Sequence, residues 1–133
     1  MASELRVNTL KDASGNNSIA TSFVAGGSAK AWNRFVGSSV ATLADSFNNS
    51  TATDNGTGDY TFAFTSTMSN ANYAPVCNGG KGTYTAGIDG RVQMPDQITT
   101  SNFVYNMANL DADAHTVAID DGIGLTVVHG DLA

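Results

Sequence analysis

The chain has 133 residues, 41% of them apolar and 14% charged, with a net charge of −6. One domain of this length can bury a real core, and the low charge argues against both disorder and a helical bundle with charged outer faces. Its six cations, Arg6, Lys11, Lys30, Arg34, Lys81 and Arg91, are scattered, so a nucleic-acid partner is not expected, because phosphate contacts need clustered Lys and Arg. An anionic membrane surface is disfavoured for the same reason.

In chain order, Leu5, Val7 and Thr9 alternate with polar neighbours, and Asp12-Ala13-Ser14-Gly15-Asn16-Asn17 is a dense turn cluster. The opening residues have no apolar core of the secretory type, so no secretory signal is expected. A short strand is expected over 18–24, a flexible break over 25–28, and a strand over 30–36 carrying Trp32 and Phe35. The nearest approach to a helix, 38–47, reads equally well with the period of a strand. The tract 48–58 is polar and ends in Asp54-Asn55-Gly56-Thr57-Gly58-Asp59, whose Asn-Gly step predicts a hairpin turn.

Residues 59–65 then alternate, with Tyr60, Phe62 and Phe64 on one face, which is expected to be core. Further strands are expected over 72–78, 83–88, 91–94, 101–107, 115–119 and 124–129. Turns are expected at Gly79-Gly80-Lys81-Gly82, Asp89-Gly90 and Asp120-Asp121-Gly122. In the strand at 101–107, Phe103, Tyr105 and Met107 share a face. About eight or nine short strands at this spacing predict an all-β fold, an antiparallel β-sandwich of jelly-roll-like type with an extended N-terminal arm. Residues 1–27 read as the arm and 28–133 as the sandwich. The arm holds Leu5, Val7, Leu10, Ile19 and Phe23 among Gly, Ser and Asn, and is expected to dock on another surface through them.

Reactive groups are sparse. His115 and His129 are the chain's two histidines, and Asp111, Asp113 and His115 at alternate positions would share one face of a strand. That trio can be read as a metal site, but an acidic loop is the simpler reading and no metal is expected. Cys77 is the one cysteine, which excludes an internal disulfide and a Cys-based zinc site, and it is expected to be a small buried residue. Asn78-Gly79-Gly80-Lys81-Gly82 lacks the spacing of a phosphate loop. The Asn-x-Ser/Thr steps at Asn16, Asn48, Asn49 and Asn55 read as turn residues. Trp32 reads as core, with an exposed contact as its alternative. In that case Arg34 shares its face, and Trp32, Arg34 and Tyr84 are candidates for a ligand, receptor or subunit contact. The expected class is a binding or structural module, without cofactor and not an enzyme.

Three stretches resemble small appendage proteins of phages from marine and cyanobacterial hosts. The first is Ser3-Glu4-Leu5-Arg6-Val7-Asn8-Thr9-Leu10-Lys11-Asp12-Ala13-Ser14-Gly15-Asn16-Asn17, which is similar to their N-terminal attachment segment. The second is Lys30-Ala31-Trp32 with Phe35. The third runs through Asp45-Ser46-Phe47-Asn48 and Thr53 to Thr65 to Met68 and Ala71-Asn72-Tyr73. The closing Leu125-Thr126-Val127-Val128-His129-Gly130-Asp131 is similar to the family's C-terminal strand. The resemblance spans about half the chain. It implies a virion surface protein made in the host cytoplasm, built as a homotrimer and attached to the major capsid protein or another virion protein. Capsid decoration (cement) or a head fibre is the favoured setting. A tail fibre contacting host surface glycans is the alternative, and a carbohydrate-binding sandwich or a metal-dependent hydrolase using Asp111, Asp113 and His115 is a third class.

Overall fold

The computed structural model describes residues 6–37, 40–80, 90–110, 116–118 and 122–133. Eleven strands and one short helix are present among them: β1 (Thr9–Lys11), β2 (Ser18–Ala20), α1 (Thr21–Gly27), β3 (Ala29–Val36), β4 (Thr42–Phe47), β5 (Asn49–Gly56), β6 (Asp59–Phe64), β7 (Ala74–Gly80), β8 (Gly90–Asp96), β9 (Asn102–Leu110), β10 (Thr116–Ala118) and β11 (Ile123–His129). The protein is an all-β antiparallel sandwich, as its sequence predicts.

One layer has the strand order β4-β3-β11-β7. The other is built on β9. One edge of β9 pairs with β8 along Val104–Leu110, and the opposite edge takes β6 at Asn102–Asn106 and then β10 at Ala108–Leu110. β5 closes that layer outside β6. The two layers meet at both sides. β4 turns into β5 through Asn48, and β7 lies against β8, where the Gln93 side-chain amide donates to the Gly79 carbonyl at 3.3 Å.

The core follows from strand alternation. Tyr60, Phe62 and Phe64 of β6 point inward and are buried, as predicted, and Phe103, Tyr105 and Met107, which the sequence places on one face of β9, are buried with them. Opposite them stand Ala31 and Phe35 of β3 and Val128 of β11. The Phe35 ring sits at the centre, with centroids 5.1 Å from Tyr60, 4.8 Å from Phe62 and 5.4 Å from Tyr105, in the tilted and edge-on geometries aromatic rings prefer.

Several local expectations are corrected. Residues 18–27 are a three-residue strand followed by α1, with no break between them. This helix has seven residues, no side-chain N-cap and no buried residue, so it carries none of the sequence signals of a helix. The polar tract 48–58 contains a strand, β5, whose exposed residues give it no apolar alternation. The hairpin is real, but its turn is Thr57-Gly58, with Gly58 at φ 70° and Gly56 at φ 139°. Gly79 and Gly80 are the last residues of β7 rather than a turn. The strand expected over 83–88 lies outside the described residues.

Asn48 makes the corner between the layers. Its φ of 55° is left-handed, a region Asn tolerates better than most residues. Its amide donates to the Lys30 and Ser66 carbonyls at 3.0 Å each, and its side-chain carbonyl accepts the Ser66 N–H.

Candidate functional site

In an antiparallel sheet, residues directly opposite one another project to the same face. In the β4-β3-β11-β7 layer the register aligns Phe47, Trp32, Val127 and Val76 across all four strands. This row points away from the core. The exposures are 51% for Phe47, 37% for Trp32, 36% for Val127 and 61% for Val76, and Leu125 on the next row is 47% exposed. That next row runs Asp45, Arg34, Leu125, Asn78. Trp32 is therefore not a core residue. Ala31, Asn33 and Phe35 take the inward positions of β3, which sends Trp32 and Arg34 outward together.

The inward row one residue along is the reverse in chemistry. Ser46, Asn33, Thr126 and Cys77 lie opposite one another there. Asn33 is 2% exposed and Thr126 is 1% exposed. The Asn33 amide donates to the Asn49 side-chain carbonyl at 3.3 Å, and the Asn49 amide donates to the carbonyls of Trp32 and Phe47. Asn33 Oδ1 and Thr126 Oγ1 have no hydrogen-bond partner. Burial pushes the Cys77 thiol up to about 12, far from a nucleophile's range. At this level the sheet places polar side chains inside and apolar ones outside, contrary to the usual one-sided pattern of an antiparallel sheet.

The second element is the arm. β1 and β2 form a two-stranded sheet that pairs with no other strand among the described residues. Asp12 holds its turn. Desolvation, which raises the Asp12 pKa, is outweighed by hydrogen bonds from the Asn17 side chain and the backbone of Asn16, Asn17 and Ser14, which leave it below its ordinary value. Val7, Leu10, Ile19 and Val24 are exposed, and Phe23 of α1 is 73% exposed. A hairpin this short is marginal by itself. The link to the sandwich is a single residue, Ser28. Its N–H donates to the Val24 carbonyl and its hydroxyl to the Ala25 carbonyl, and the Lys30 ammonium reaches Ser28 Oγ at 2.8 Å and the Ala25 carbonyl.

The structure thus gathers Trp32 and Arg34 on one surface and adds Phe47, Val76, Leu125 and Val127, which the sequence reading missed. Their signal was strand alternation in β3 and β11, but their convergence depends on register between distant strands. Leu5, Tyr84, Asp111, Asp113 and His115 lie outside the described residues. Among the described residues no group of His, Cys, Asp and Glu is placed to hold a metal, and no helix is long and apolar enough to cross a membrane. The arrangement offers an exposed apolar row with one guanidinium and one carboxylate at its side, suited to contact. No family model matches the chain, and neither a curated protein nor a solved structure matches it.

Proposed function

We propose that the protein is a non-enzymatic surface module of a phage particle, a trimeric capsid decoration or head-fibre protein that docks through its N-terminal arm and displays the sandwich outward. The observation that carries this reading is the pairing of an apolar arm that is not buried with an apolar sheet face that is not covered. A domain that binds by surface contact needs both a seat and something to place in it. Large exposed apolar patches on a monomer mark interaction surfaces. Further copies of the chain, and the major capsid protein or another virion protein, are its partners.

Quantitative mass spectrometry of purified particles tests the proposal. Several hundred copies per particle are expected of a decoration protein. A few to a few dozen would move the chain to a tail fibre, and absence from particles would overturn the virion reading.

A second reading has one observation in its favour. Trp32 is exposed on the same sheet face as Arg34, an arrangement on which a sugar ring can stack while a guanidinium reaches its hydroxyls. Loss of glycan binding in Trp32→Ala, with assembly intact, would establish it.

A further inference from the structure

The sheet face and the arm meet in a way the fold itself indicates. In a sheet with one wet face, apolar side chains belong inside and polar ones outside. Here the row Phe47, Trp32, Val127, Val76 is outside while the row Ser46, Asn33, Thr126, Cys77 is inside. A sheet patterned in this way behaves as one covered on both faces. With Leu125 the outer row forms a patch on the order of a few hundred Å², the size that marks an interaction site. It falls short of the roughly 800 Å² per partner of a stable interface. Whatever covers it must bring further apolar surface of its own.

Charge narrows the choice of occupant. Residues 1–27 contain two basic side chains, Arg6 and Lys11, and two acidic ones, Glu4 and Asp12, and are neutral. The whole net charge of −6 therefore sits on residues 28–133. Two such acidic sandwiches brought face to face repel each other. The neutral arm, with Leu10, Ile19, Phe23 and Val24 exposed, approaches an acidic sandwich without that cost. The end of α1 is tied to the start of β3 by the bonds of Ser28 and Lys30 described above, and the β1-β2 hairpin pairs with no strand of its own sandwich among the described residues. We infer that the arm of one copy lies across the Phe47–Trp32–Val127–Val76 face of a second copy. Arm on face is a heterologous contact, in which each copy gives one surface and receives the other. Such contacts close into rings when the rotation allows, and a ring of three satisfies every arm and every face. Each copy then covers the exposed sheet of a neighbour and has its own sheet covered in turn.

Arm exchange presupposes the self-association proposed above but not the particle setting. Thiol cross-linking between co-expressed full-length chains tests it, one carrying Phe23→Cys and the other Val127→Cys, with different tags. Cys77 stays in place, since its partly buried thiol is shared by the wild-type control and so cannot account for a link specific to the variants. The expected product under mild oxidation is a linked pair containing one chain of each type, at least tenfold above wild type. Pairs of Val127→Cys chains alone would mean that two sheets meet face to face, and would overturn the inference. So would an internal link in the double variant Phe23→Cys/Val127→Cys that leaves the chain monomeric. A mixed link in a protein absent from particles would sink the virion reading and leave arm exchange standing.

Discussion

The Phe35 ring occupies the space where Gly124 would carry a side chain. A Cβ built on Gly124 would lie 1.9 Å from Phe35 Cε1 and 2.2 Å from Cζ. These residues face each other across β3 and β11, and the absence of a side chain on one lets the ring of the other reach Tyr60, Phe62 and Tyr105. Gly124→Ala must displace a ring packed on three sides. It is expected to cost about 3 kcal/mol, on the order of 10 °C in Tm. Combining it with Phe35→Leu should restore part of the loss, a coupling that a double-mutant cycle by denaturant unfolding would measure.

Thr126→Val should stabilise the protein. The Thr126 hydroxyl is buried without a hydrogen-bond partner, and valine keeps its shape. Removing an unsatisfied hydroxyl is expected to gain about 1 kcal/mol. A loss of stability in the unfolding midpoint would mean that the hydroxyl is satisfied in solution.

Asn48 should be hard to replace. Alanine would lose the bonds to Lys30 and Ser66 while keeping the left-handed backbone, so a loss of about 2–3 kcal/mol is expected. Asn48→Gly relieves the backbone strain and should cost less than Asn48→Ala. Equal costs for the two would show that the backbone conformation contributes nothing.

Stability should fall at alkaline pH. Burial pushes Cys77 from its ordinary 9.0 to about 12, and Tyr73 from 10.0 to about 12. Both groups stay protonated in the folded chain while the unfolded chain releases its protons, so the unfolded state binds fewer protons and stability declines as pH rises. The decline should begin near 9, where the unfolded thiol titrates, and continue toward 12. Cys77→Val should delay the onset to about 10, where Tyr73 takes over. Urea midpoints between pH 7 and 11 measure this, and a variant that declines with the wild type from the same pH would contradict it. The same partial burial predicts that thiol reagents at neutral pH label Cys77 more slowly in the folded chain than after unfolding.

The aromatic strands were legible because alternation over Tyr60, Phe62 and Phe64, and over Phe103, Tyr105 and Met107, states both the element and its buried face. β5 was not, since Asn49–Gly56 is a largely exposed strand beside β6 with almost no apolar side chain to show a period. Trp32 was misplaced by its size. In one strand Trp32 and Phe35 stand on opposite faces, so one of them had to be outside, and the buried Asn33 between them hid which. The outer row was beyond reach, because Phe47, Trp32, Val127 and Val76 become neighbours only through the register of four strands. The α1 helix is too short, and too exposed, to impress a period on the sequence.

If copies of the chain associate through the Trp32 face, that face is covered only in the assembled state. Light scattering of the full chain across a concentration series, beside Phe47→Asp/Val127→Asp, reads that association as mass. Both positions are exposed, so the variant should keep the wild-type circular dichroism. The expected result is three times the monomer mass for the wild type and the monomer mass for the variant. A wild type that stays monomeric at every concentration, or a folded variant that assembles as the wild type does, would contradict it.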